Sequence, residues 1–257
     1  MATSISIGSR GWQQVTVRHV PLLRPFAWLR EGWDDMRHVG APSIGHGALI
    51  AMLGAVLLAF GSSHPYLIAA AVSGYLLIGP IMATGLCELS RRRAARESLG
   101  FNESIQPLSR NPHAFIRFGT VLAAIVVVWF VASEVMLRSI LHIPGPSLDV
   151  ALWGGIATEA NRPQIIGYIG SGAVLAAVVF TLSVVAVPMM IDRNASASEA
   201  MWASAHVMLR NLPAMLVWGA LIVALSAIGF LTMLIGMIVL APLLGHATWH
   251  AYRDLIE

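Results

Sequence analysis

LPAMLVWGALIVALSAIGFLTMLIGMIVLAPLLGHATW, from Leu212 to Trp249, contains no charged residue. As a helix this stretch is roughly 57 Å long at about 1.5 Å per residue. A bilayer's hydrocarbon core is only about 30 Å thick. The stretch therefore reads as two crossings, with a turn expected near Ser226–Phe230. It closes on His246 and runs into His250, two imidazoles four residues apart at the end of an apolar run.

The rest of the chain repeats the pattern. The apolar block Ile44–Leu89 is too long for one crossing, and GSSHPY (Gly61–Tyr66) divides it into spans near 44–61 and 66–88. Further spans fall near 114–137 and 165–191, which gives six in all. Composition agrees: of 257 residues 57% are hydrophobic and 11% charged, with a mean hydropathy of +0.73, where a soluble domain carries about a quarter charged residues. Met1–Val20 lacks an apolar core followed by a small-residue cleavage site, so it does not read as a signal peptide. The expectation is an all-α polytopic membrane protein: a cytoplasmic tail over 1–21 and a single six-helix domain over 22–257.

Arginine placement sets the orientation. Lysine is absent, which points to a GC-rich, bacterial coding sequence, and all sixteen basic residues are arginine. Fourteen lie in the N-terminal segment, the second and fourth connectors and the tail; only Arg138 and Arg162 fall on the opposite side. The positive-inside rule then places both termini in the cytoplasm of a bacterial inner membrane. Arginines at the ends of apolar runs do not form the basic stripe that nucleic acid requires. A single cysteine, Cys87, excludes an internal disulfide and a multi-cysteine cluster.

The spans read as three hairpins over approximate repeats 22–100, 101–193 and 194–257. The second helix of each contains proline followed by two large apolar residues: GPIM (Pro80), VPMM (Pro188) and APLL (Pro242). Each proline frees the carbonyl four residues back and favours a kink or a cavity. Each hairpin follows a short lead-in at the cytoplasmic face. RPFAWLREGWDDMRHV aligns Phe26, Leu29, Trp33 and Met36 on one helical face, and the other two lead-ins share Arg-Asn shortly before proline, at Arg110-Asn111 and Arg210-Asn211.

The candidate chemistry is sparse. His246 and His250 project from one helical face and suit a metal or haem iron, with His46 as a third ligand at the same depth; the alternative is an interfacial exit turn. Glu88 reaches Arg91 or Arg92 on one helix face. Arg91, Arg92, Arg93 and Arg96 form a patch suited to anionic headgroups or a partner. Nucleotide-binding, hydrolase and zinc-protease motifs are missing, so no catalytic residue is assigned.

RPFAWLREGWDD, GLCELSRRRAARE, VPMMIDRNASASEAM and PLLGHATWHAYRDL together resemble a bacterial family of integral membrane proteins that constitutes a domain of unknown function. The resemblance covers roughly residues 22–256 and includes a His-Ala-Thr-Trp-His-Ala-Tyr-Arg signature at His246–Arg253. It implies six spans and no established activity. Some members carry a cytochrome-oxidase-subunit label, but the haem-ligating histidines of a catalytic oxidase subunit are missing from these spans. The expectation is a non-enzymatic accessory, assembly or scaffold subunit of a membrane complex, such as a respiratory one, without a cofactor. A small lipid or solute carrier and metal or haem handling are the alternatives.

Overall fold

A computed structural model of the protein describes residues 3–5, 15–62, 75, 79–141 and 162–257. Among these the chain is helical apart from two short antiparallel strands, β1 (Thr3–Ile5) and β2 (Val15–Val17), a small departure from the all-α expectation. The helices are α1 (Arg24–Val39), α2 (Ala41–Ser62), α3 (Gly79–Met82), α4 (Thr84–Ala95), α5 (Phe101–Ser104) and α6 (Gln106–Arg110). They continue with α7 (Pro112–Leu141), α8 (Arg162–Ser183), α9 (Ala186–Asp192), α10 (Ala197–Arg210), α11 (Leu212–Leu231) and α12 (Met237–Leu255).

Among the described residues four segments are long and apolar enough to cross a membrane: Ala41–Ala59, Pro112–Met136, Ile166–Asp192 and Leu212–Leu231. They coincide within a few residues with expected spans one, three, four and five. Most of expected span two and most of the segment Leu141–Pro163 lie outside the described residues, as does the side chain of Arg138. The sixth span departs from expectation. In α12 only Met237–Gly245 is uninterrupted apolar sequence; from His246 onward the helix carries polar and charged side chains. The turn also moves. Ser226 and Gly229 stay helical, and the chain reverses at Thr232–Gly236, where Met233 and Leu234 take φ values of 52° and 68°.

The chain forms two compact units. One gathers Met1–Ala51, Pro80–Phe118 and Phe180–Glu257; the other gathers Met52–Gly79 and Gly119–Val179. Within the second, α7 meets α8. Ser133 Oγ lies 2.8 Å from the Tyr168 hydroxyl, Trp129 packs on Tyr168 at 5.3 Å between ring centroids, and Gly172 leaves room for the Trp129 ring. Outward residues such as Val127, Val131, Ile169 and Val174 are exposed, which suits helices solvated by hydrocarbon.

The first unit is built around the C-terminal half of α12, and small residues bring its neighbours close. A Cβ on Gly32 of α1 would lie 2.7 Å from the Ala247 nitrogen, and one on Gly245 would lie 2.5 Å from Leu86 of α4. Gly47 of α2 faces Ile238, the carbonyl freed by Pro242: a Cβ there would sit 2.1 Å from the Ile238 oxygen. Such contacts at the backbone allow weak Cα–H···O interactions and dense helix packing. α12 stays continuous through Pro242. By contrast the chain breaks at Val184–Val185 just before Pro188, and Pro80 lies in the short α3 ahead of a turn at Ala83.

Residues 16–18 meet residues 255–257 within this unit. Val17 bridges Ile256, Arg18 N donates to the Leu255 carbonyl at 2.9 Å, and Arg18 pairs with Glu257. The segment 15–20, expected as part of a tail, is therefore held in place.

α1 forms as read from the sequence, but its burial is rotated. The buried residues are Pro25, Trp28, Gly32, Asp35, Met36 and Val39. Of the face that aligns Phe26, Leu29, Trp33 and Met36, Met36 is buried while Phe26 and Trp33 are exposed, as are Leu22 and Leu23. The inner face combines Gly32 and Asp35 with Trp28, Met36 and Val39, and Phe26 and Trp33 turn outward.

Candidate functional site

The signature His246–Arg253 forms the centre of the first unit, and its polar groups hydrogen-bond to the surrounding helices. His246 is fully buried. Its Nε2 lies 2.8 Å from Ser43 Oγ and its Nδ1 2.7 Å from Ser90 Oγ. Both imidazole nitrogens are therefore satisfied by hydroxyls of two other helices, one donating to the ring and one accepting from it whichever tautomer is present.

His250 Nε2 donates to Asp35 Oδ2 at 2.9 Å, and Arg93 binds Oδ1 of the same carboxylate. The His250 ring also sits 3.2 Å from Glu31. Burial alone would raise the Asp35 carboxyl; the hydrogen bond and charge of His250 outweigh it and hold the group below its ordinary value. Next along α12, the Tyr252 hydroxyl donates to Asp192 at 2.7 Å and accepts from Arg193 at 3.0 Å. Burial, reinforced by the Asp192 charge, pushes this phenol far upward. Asp254 receives Trp28 Nε1 at 2.7 Å and Arg24.

His46, the expected third ligand, lies against Gly85. Its Nδ1 donates to the Pro42 carbonyl at 3.0 Å, and its Nε2 is 3.2 Å from Ser104 Oγ. Every ring nitrogen of His46, His246 and His250 therefore faces a protein partner. Among the described residues no three His, Cys, Asp or Glu side chains converge as a metal site.

The arginine patch is largely turned inward. Glu88 is fully buried, and Arg91, Arg92 and Arg110 all bind it, Arg91 through two nitrogens at 2.8 and 3.0 Å. Arg91 and Arg92 also meet Glu97, and Arg92 reaches Gln106 at 2.7 Å. Arg93 is committed to Asp35. Arg96 caps α4 in the left-handed region, with φ 57°, and is exposed. Beside this network Pro107, Arg110, Asn111, Met190, Ile191, Asp192 and Asn194 line a surface cleft of about 370 Å³.

Sequence reading located the histidines and the Glu88–Arg91/Arg92 pairing but missed Ser43, Ser90 and Asp35, which have no local signature. The paired Arg-Asn motifs did carry a signal. Asn211 accepts from Val20 N and donates to the Arg18 carbonyl, both at 3.0 Å. Asn111 donates to the Ala195 carbonyl at 2.9 Å. Each asparagine clamps the strand of chain that enters another lead-in helix.

Among the described residues, four long apolar segments mark a helical integral membrane protein. Residues 67–192 match the family model described as "Predicted integral membrane protein (DUF2189)". The signature His246–Arg253 lies beyond the matched residues. No curated protein and no solved structure matches the chain.

Proposed function

We propose that the protein is a non-enzymatic scaffold or accessory subunit of a membrane complex, acting by packing. The observation that carries this reading is the division of its surfaces. Inside the first unit Glu88, Asp35 and His246 are consumed by neighbours of the same chain. Outside, the lead-in helices present large apolar residues: Phe26 and Trp33 on α1, Phe101 and Leu108 on α5 and α6, Trp202 and Leu209 on α10. Large apolar residues displayed together fit a membrane or protein interface, and beside the exposed Arg30, Arg37 and Arg96 they suit an interfacial helix on anionic lipid.

In this reading the chain enters a bacterial inner membrane as three hairpins, each preceded by a lead-in helix, with both ends cytoplasmic. The arginine bias supports it, and so does the pairing of Val17 with Ile256. The experiment is purification from native membranes in mild detergent. The expected result is a membrane complex recovered in fixed stoichiometry and lost on Phe26→Ser with Trp33→Ser. A monodisperse particle of the 27.5 kDa chain alone overturns the proposal.

A further inference from the structure

The reversal between α11 and α12 is unlike a loop facing water. Leu231, Met233 and Ile235 are 82%, 79% and 72% exposed, and no charge lies between Leu212 and Trp249. Every backbone donor from Thr232 to Leu240 is nonetheless taken up inside the hairpin. Met233 N reaches the Phe230 carbonyl, Leu234 N the Gly229 carbonyl and Ile235 N the Thr232 carbonyl, all at 2.9–3.1 Å. Gly236 N finds the Thr232 hydroxyl at 2.9 Å, and that hydroxyl donates back to Ile228 and Gly229. The donors of Met237–Leu240 end on carbonyls of residues 234–236. A turn in water leaves donors to the solvent, whereas a turn in hydrocarbon must satisfy them itself.

Depth follows from the neighbours. α11 is long enough to cross, but its first turns are spent on the polar unit: Trp218 packs edge-on against Trp28, which binds Asp254, and Asn211 holds Arg18 and Val20. On α12 the paired charges begin at His250. From there to Gly236 the helix advances about 21 Å, and from His246 about 15 Å, short of a core about 30 Å thick.

We infer that the α11–α12 hairpin is re-entrant: its tip, Leu231–Gly236, ends among lipid acyl chains and does not reach the far surface. Residues 212–249 then make a dip with both ends on one side, and the number of full crossings stays even. The inference rests on the membrane assignment and not on the scaffold reading.

The test is a nitroxide on Met233→Cys in proteoliposomes, with Arg37→Cys as an exposed reference; the buried native Cys87 is kept, and unsubstituted protein measures its background. At Met233 the label is expected to relax with dissolved oxygen and to lose contact with a water-soluble nickel chelate, the reverse of Arg37. Chelate contact at Met233 equal to that at Arg37 overturns the inference. Where Met233→Cys fails to fold, Ile235→Cys gives the same readout. Modification of either thiol by an impermeant maleimide added on the far side of sealed vesicles also overturns it.

Discussion

The two halves of α12 are made of one continuous helix and live in different surroundings. Met237–Gly245 is apolar and meets α2 through Gly47. His246–Leu255 is polar at every turn, yet mostly buried, with its imidazole, phenol and carboxylate groups paired to α1, α4 and α9. What changes along the helix is the medium. The first half needs only shape, since hydrocarbon rewards no polar contact; the second must provide a partner for every polar atom it hides.

Disrupting the polar side at its most charged point gives the largest expected effect. Glu88→Ala leaves Arg91, Arg92 and Arg110 facing one another, and the loss is about 3–5 kcal/mol, read from denaturant unfolding in micelles. Next, His246→Ala strands Ser43 and Ser90 and opens a cavity, costing roughly 2–4 kcal/mol in the same assay. Smaller again is Gly32→Ala, whose new methyl overlaps the Ala247 backbone; about 1–3 kcal/mol is expected.

A pH series sharpens the comparison further. Because the folded Asp35 carboxyl titrates below its ordinary value, its contribution is complete above about pH 4 and disappears as pH falls through the folded value. The melting difference between wild type and Asp35→Asn is expected to be constant near neutrality and to shrink below pH 4. The smallest effect belongs to Arg18→Ala, since the Arg18–Glu257 pair is exposed and exposed pairs contribute little; its melting point is expected to match the wild type closely.

Much of the membrane part was legible because apolar length is a one-dimensional property. The runs near 44–61, 114–137 and 165–191 became helices within a few residues of their expected limits. The lead-in α1 was also legible as a helix, but its inner face was not. Amphipathic reading assumes that water takes the polar side, which would bury Phe26 and Trp33; here those rings face outward and Asp35 goes in. The turn after α11 was expected at Ser226–Phe230 and lies at Thr232–Gly236, because Thr232 builds it with its own side chain, with no proline to mark it. The site was half legible. His246 and His250 stood out by spacing, but Ser43 and Ser90 lie 203 and 156 residues from His246, a separation that local patterns do not encode.

The close fit of Gly32, Gly47 and Leu86 around α12 has a consequence for biogenesis. These three contacts belong to elements that leave the ribosome long before the helix they enclose, so α1, α2 and α4 each wait with an uncovered groove. Until α12 arrives, nascent Asp35 and Glu31 have no His250 to bind.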